Sequence, residues 1–171
     1  MATGSEVRAA FNAGDAEEFK RLLIADPEFL RNDNGTDRWM WRAAMAGKLS
    51  IVKALAELGI GVNESHHLPN PNDPDNSLTQ IEGPILQAAG AGHTEVVKWL
   101  LEHGAKINYV VQGKPRCLPL LDAAAKGHLE VVKLLVQFGA DIHASFNGLD
   151  AIKQAENHGK SDVLTYLRSL G

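Results

Sequence analysis

Cys117, the adjacent pair His66 and His67, and the histidines His93 and His128 carry the side chains best suited to attack a substrate, move a proton or hold a metal. None has a supporting pattern around it. A cysteine nucleophile needs a base and an orienting group within reach, and no motif surrounds Cys117. His66 and His67 precede Asp73 and Asp75, but adjacent histidines point apart unless the chain bends, and no third ligand follows at helical spacing. Read as a calcium loop from Asp73, the segment has Leu78 where glycine is needed and Pro84 where glutamate belongs. Gly59-x-Gly61 and Gly90-x-Gly92 open a dinucleotide fingerprint, but Glu64 and Glu95 occupy its third glycine position and no strand precedes either. Neither a phosphate-binding Gly-x-x-x-x-Gly-Lys-Ser/Thr loop nor a Gly-x-Ser-x-Gly elbow occurs. The expectation is no catalytic residue, no cofactor and no metal. The alternative, an enzyme or metal-dependent activity, would have to rest on Cys117 or the His66-His67 loop.

Composition points the same way. The 171 residues carry a net charge of −4, with 44% hydrophobic and 22% charged side chains, close to an ordinary globular protein. No apolar run approaches the roughly 18–20 residues of a membrane helix, and the first residues lack the basic and apolar regions of a secretory signal. The single cysteine cannot form an internal disulfide, which fits a reducing compartment and a cytoplasmic location. Mixed charge and a pI near 6.0 give no general drive toward nucleic acid or anionic lipid.

The elements that would position any site come in repeats. Gly14, Gly47, Gly92, Gly127 and Gly159 are spaced by 33, 45, 35 and 32 residues, a tandem array with one insertion of about a dozen residues. Around three of them runs Ala-Ala-x-x-Gly, at 43–47, 88–92 and 123–127. Paired alanines let a neighbouring helix approach closely, and glycine supplies the left-handed turn that stops the first helix. A second helix follows with Val96, Val97, Leu100 and Leu101, then Val131, Val132, Leu135 and Val136, on one stripe. Lys98, Glu102, Lys133 and Gln137 fall toward solvent. A lone helix pair cannot bury such a stripe, so the units must stack.

These residues resemble the ankyrin repeat over nearly the whole chain, most closely in GPILQAAGAGHTEVVKWLLEHGAKIN from Gly83 and LPLLDAAAKGHLEVVKLLVQFGADIH from Leu118. The resemblance implies an all-α solenoid of about five helix–turn–helix units, near 4–32, 33–63, 79–108, 114–143 and 144–171. It implies β-hairpin loops between them, with the insertion at 64–82 as one long loop. The terminal units would be caps, since Glu18 and Arg21 in the first, and Glu156, Ser161 and Tyr166 in the last, depart from the pattern. The family's Thr and His at the start of the first helix are replaced by Arg38 and Trp41, Gly83 and Leu86, Leu118 and Leu121, and Asp150 and Lys153. Their hydrogen bonds are then lost, and packing is expected to hold these helix starts. His93 and His128 fall where the family uses histidine structurally, and Asn63 and Asn108 where asparagine bonds the turn.

Family members bind through loop tips and the exposed side of the first helix. Carried over by position, this implies partner contacts at Asp37, Met45, Gln80, Glu82, Lys114, Arg116, Lys126, Asn157 and His158, with Asp75 in the insertion. Trp39 stands where the family has proline and Trp41 where it has histidine; tryptophan is enriched at interface hot spots, so both are candidate contacts, with packing between repeats as the other role open to them. The insertion, with Pro69, Pro71 and Pro74, would extend one loop beside them. The expected function is a monomeric protein-interaction module that occludes or sequesters one dedicated partner, as bacterial immunity proteins or eukaryotic regulatory inhibitors do. No small-molecule substrate, nucleic acid or membrane is expected as a partner.

Overall fold

The computed structural model describes residues 3–31, 38–63, 83–111, 114–116 and 118–171. Helix α1 (Gly4–Ala13) pairs with α2 (Ala16–Ala25), followed by the short α3 (Glu28–Arg31). The next pairs are α4 (Arg38–Met45) with α5 (Leu49–Glu57), α6 (Pro84–Ala91) with α7 (Thr94–Glu102), α8 (Leu118–Lys126) with α9 (Leu129–Gln137), and α10 (Ala151–Asn157) with α11 (Ser161–Arg168). The first helices stack in an inner row, α4 on α6 on α8 on α10; an outer row runs α2, α5, α7, α9, α11. This is the all-α solenoid that the resemblance implies.

The alanine pairs sit where the two rows meet. Ala43, Ala44, Ala88, Ala89, Ala123 and Ala124 are fully buried, as are Met40 and Leu120 on the inner row and Leu55, Leu100 and Leu135 on the outer. Strand is scarce among the described residues. A hairpin of β1 (Tyr109–Val111) and β2 (Lys114–Arg116) pairs Tyr109 with Arg116 and Val111 with Lys114. Further on, Phe146 and Leu149 exchange two 3.0 Å backbone hydrogen bonds across Asn147 and Gly148. Those two residues have φ of 52° and 78°, the geometry that Asn-Gly favours in a two-residue hairpin turn.

Two hydrogen-bond ladders run between successive units. In the first, the residue that precedes α5, α7 or α9 makes no side-chain bond to its own helix; it reaches back instead. Lys48 Nζ donates to Asn12 O at 2.9 Å, His93 Nε2 to Met45 O at 3.0 Å, and His128 Nε2 to Gly90 O at 3.2 Å. Each acceptor is one of the carbonyls that a helix C-terminus leaves unpaired, so each imidazole carries its proton on Nε2. The imidazole also explains the glycine beneath it. A Cβ on Gly47 would lie 2.6 Å from His93 Nδ1, and one on Gly92 2.7 Å from His128, while both glycines hold φ near +70–80°.

The second ladder runs along the loop side. Asn63 Nδ2 donates to Gly104 O (2.9 Å) and its Oδ1 accepts from Lys106 N (2.8 Å). Asn108 makes the same pair with Gly139 O (2.7 Å) and Asp141 N (3.0 Å). The asparagines therefore bond the turn of the following unit.

The expectation that packing alone holds the inner helix starts needs one correction. Asp150 stands in the family's threonine position, and its Oδ1 accepts from Lys153 N at 2.8 Å, a side-chain cap of the usual kind. At α6, Gly83 offers no such bond and Pro84 opens the helix; proline there removes one amide that would otherwise lack a partner.

Candidate protein-binding surface

The solvent side of the inner row is where the predicted contacts should meet, and the structure divides them. Trp39 is the main correction. It is only 8% exposed and lies inside, its ring centroid 5.1 Å from that of Phe11 and 5.3 Å from that of Phe19. Its indole Nε1 donates to Phe29 O at 2.8 Å. The cause is geometric: Trp39 reaches the preceding unit, which offers two phenylalanines and a carbonyl. Trp39 is thus a core residue joining α1, α2 and α3 to α4, with Arg42 Cζ 5.5 Å from its ring centroid. Trp41 is half-buried on the same helix. Met45 is 45% exposed at the end of α4.

Lys126, Asn157 and His158 are exposed at the C-terminal ends of α8 and α10. Lys114 and Arg116 lie on β2. Asp37, Asp75, Gln80 and Glu82 fall outside the described residues, as do Cys117, His66, His67 and the whole 64–82 insertion. Among the described residues no group of three or more His, Cys, Asp or Glu could hold a metal, and no helix is long and apolar enough to cross a membrane.

One concave feature gathers several of these elements. Between α6, α8 and α10 lies an open cleft of about 400 Å³, lined by Leu86, Leu118, Leu121, Asp122, Ala125, Phe146, Gln154 and His158. Its walls are mostly aliphatic. Three of them, Leu86, Leu118 and Leu121, occupy the positions where the ankyrin pattern has histidine, threonine and histidine. Substituting leucines there removes hydrogen bonds, and it also turns a polar helix face apolar. Phe146 is brought in by the tight Asn147-Gly148 turn.

Asp122, the one carboxylate among the described residues that line the cleft, has a definite seat. Its Oδ2 accepts from Lys126 Nζ at 3.1 Å, and the carboxylate lies against the backbone of α6 at Gly90. A Cβ there would come 2.0 Å from Asp122 Oδ2 and 3.0 Å from Lys126 Nζ. Glycine inside a helix costs about 1 kcal/mol against alanine, and here it provides the space in which this ion pair rests. His158 closes the far end, its Nδ1 bonded to Gln154 O at 2.9 Å.

Of the sequence-predicted contacts, the cleft thus unites His158 and, through Asp122, Lys126. Leu86, Leu118, Leu121, Asp122, Phe146 and Gln154 were not among them. Leucine at histidine positions and the Asn-Gly turn signal were both there to be read, and neither had been tied to a surface. Asp122 carries no comparable signal, because its exposure depends on the absent side chain of Gly90.

Comparison with known proteins agrees with this architecture. The Phosphate system positive regulatory protein PHO81 of Saccharomyces cerevisiae is 28% identical over 103 residues, which is 60% of this chain and 8% of the yeast protein. The chain therefore spans less than a tenth of that relative's length. A family model of ankyrin repeats matches in three overlapping copies, at residues 7–111, 66–146 and 85–171. The chain belongs to the ankyrin repeat family, whose repeats are protein–protein interaction modules.

Proposed function

We propose that this chain acts without catalysis, by holding one dedicated protein partner on its inner face and blocking or sequestering it. The observation that carries the proposal is the cleft between α6, α8 and α10, where the half-buried Leu86 and Leu118 replace the family's polar residues and the third replacement, Leu121, is buried. An exposed apolar depression rimmed by polar groups is what a partner's side chains desolvate on docking. The outer row offers charge instead, with Lys53, Glu57, Glu95, Lys98 and Glu102 exposed along α5 and α7. A module of helix pairs has little means of altering a bound protein except by covering part of it, which makes occlusion the simplest output. The yeast relative is by name a regulatory protein, consistent with control of a partner rather than turnover of a substrate. The site is proposed for the free monomer in the cytoplasm.

The experiment is quantitative binding to a partner isolated by affinity capture. Leu86→Glu should weaken that complex by about thirtyfold, the size of a hot-spot loss of roughly 2 kcal/mol. Lys98→Glu, on the outer row, should change it by less than about twofold. A complex abolished by Lys98→Glu and indifferent to Leu86→Glu would place the partner on the convex side.

A further inference from the structure

The polar group inside the cleft indicates what kind of side chain it receives. We infer that the cleft is a receptor for an arginine presented by a segment of the protein partner, its stem lying on the leucines and Phe146 and its guanidinium on Asp122. This rests on the inner-face reading above and sharpens it to one chemistry.

Three features lead there. The walls are mostly aliphatic and aromatic, with Leu86, Leu118, Leu121, Ala125 and Phe146 around the Asp122 carboxylate, so a fitting occupant is apolar along its length and cationic at its end. Arginine and lysine both have that form. Next, Asp122 makes a single-point contact, Lys126 Nζ to Oδ2, and among the described residues this is its only hydrogen bond. A carboxylate has about four acceptor positions and takes a guanidinium by two parallel bonds, which an ammonium cannot supply. Finally, the existing pair is easily displaced. The Lys126 and Asp122 side chains are 52% and 37% exposed, and ion pairs so exposed are worth about 0–1 kcal/mol. Lys126 can therefore swing into solvent when a better-fitting cation arrives. Gln154 on the opposite wall adds an amide oxygen able to accept from the guanidinium, and Phe146 adds a ring face. An acidic occupant of the cleft would bring its charge against the Asp122 carboxylate, at a cost in like-charge repulsion.

The test uses the full chain and three defined probes, the blocked peptides acetyl-Ala-Leu-Arg-Leu-Ala-amide and its Arg→Glu and Arg→Leu counterparts, titrated while backbone amide resonances are followed. The arginine peptide should shift the amides of Leu86, Asp122 and Phe146 with saturation, at least tenfold more tightly than either counterpart. Asp122→Asn should bring its affinity down to that of the leucine peptide, whereas Lys126→Ala should leave it equal or tighter. Gly90→Ala, whose methyl would displace the carboxylate, provides a second variant and should lose the arginine preference as well. The melting temperature and circular dichroism of each variant establish that it is folded.

Equal binding of the leucine and arginine peptides, tighter binding of the glutamate peptide, binding indifferent to Asp122→Asn, or no saturable shift from any peptide would each overturn the inference. The two readings also separate on the captured partner. A complex weakened by Leu86→Glu but not by Asp122→Asn would keep the inner-face function and discard the arginine receptor.

Discussion

Trp39, Pro84 and Pro119 occupy the same place at the start of three successive inner helices, and the contrast between them divides the molecule. Around Pro84 and Pro119 the stack follows a repeating pattern: proline opens the helix, alanine pairs set the spacing, and an imidazole lies over the preceding glycine. Around Trp39 the pattern fails: the preceding unit carries polar Glu18 and Arg21 on its second helix, joined in an exposed ion pair. Phe11 and Phe19 fill the junction instead, and Trp39 completes a three-ring cluster with centroids 5.1–5.8 Å apart. The C-terminal units are held by many similar contacts and leave a surface free to bind. The N-terminal junction centres on one large side chain.

The largest expected effect tests that difference directly. Trp39→Ala should cost about 3–5 kcal/mol, the range for removing a buried aromatic ring and leaving a cavity, and it also strands the carbonyl of Phe29. Pro84→Ala, in the equivalent position, should cost less than about 1 kcal/mol, because alanine is a good helix former there. Urea unfolding followed by circular dichroism measures both. Hydrogen exchange should show α1, α2 and α4 losing protection in Trp39→Ala while α8 to α11 keep theirs, as expected of a stack with nearest-neighbour stability. Equal destabilisation by the two substitutions would remove the distinction drawn here.

The glycines offer a finer cut. Gly92 and Gly104 both have φ near +80°, so alanine at either meets the left-handed penalty of about 1–2 kcal/mol. At Gly104 no other atom lies within 4 Å of the new methyl, whereas at Gly92 the His128 ring is 2.7 Å away. Gly92→Ala should therefore be the more damaging by about 1 kcal/mol, the worth of the hydrogen bond that a displaced imidazole would lose. If the two alanine variants melt together, the imidazole ladder contributes nothing to cohesion between units.

How much of this was legible follows from how local each cause is. The repeat, the buried stripes and the alanine pairs are set by residues a few positions apart, and those parts of the fold could be read directly. Histidine at 93 and 128 could be recognised as structural from position alone, although the carbonyls it serves, 48 and 38 residues away, could not. Trp39 misled for the same reason. Its type fits an interface and its position lies near a loop, but its environment is supplied by Phe11 and Phe19, outside its own unit. The cleft is partly visible in the leucines at 86 and 121, which signal missing hydrogen bonds directly and a change of surface only once the helices are stacked. Asp122 depends on Gly90 in the neighbouring helix, a coincidence that only the stacked structure brings together.

The loop-side ladder should matter less than either junction. Asn108→Ala removes one bond to Gly139 O and one from Asp141 N, both exposed to water that can partly replace them. A loss of about 1 kcal/mol is expected, with Asn63→Ala similar; chemical denaturation of each variant and of the double variant measures it. The two sites serve different pairs of units, so their effects should add. A double variant that unfolds far below the sum would mean that the ladder acts as one cooperative line.

The smallest effect lies at α1 and α2, whose caps are local. The residues that precede α5, α7 and α9 give their side chains to the preceding unit, whereas those at the start of α1 and α2 serve their own helices: Asp15 Oδ1 accepts from Glu18 N at 3.0 Å, and Thr3 and Glu6 close a capping box. Glu6 Oε2 accepts from the Thr3 amide at 2.8 Å and from its hydroxyl at 2.9 Å. Those bonds, the backbone one foremost, hold its carboxyl below the ordinary value of 4.5. A carboxyl depressed by folding stabilises the native state above its unfolded value, and that contribution fades as pH falls through the folded one. Wild type should therefore melt slightly above Glu6→Gln at neutral pH, by less than Asn108→Ala costs. The gap should narrow once the pH drops below about 4.5 and close at lower pH. Exchange protection at α1 amides is the sharper readout, since Lys48 and Trp39 hold the rest of the first unit whatever the state of Glu6. A gap that persisted unchanged at acid pH would mean that Glu6 acts through the shape of its side chain and not through its charge.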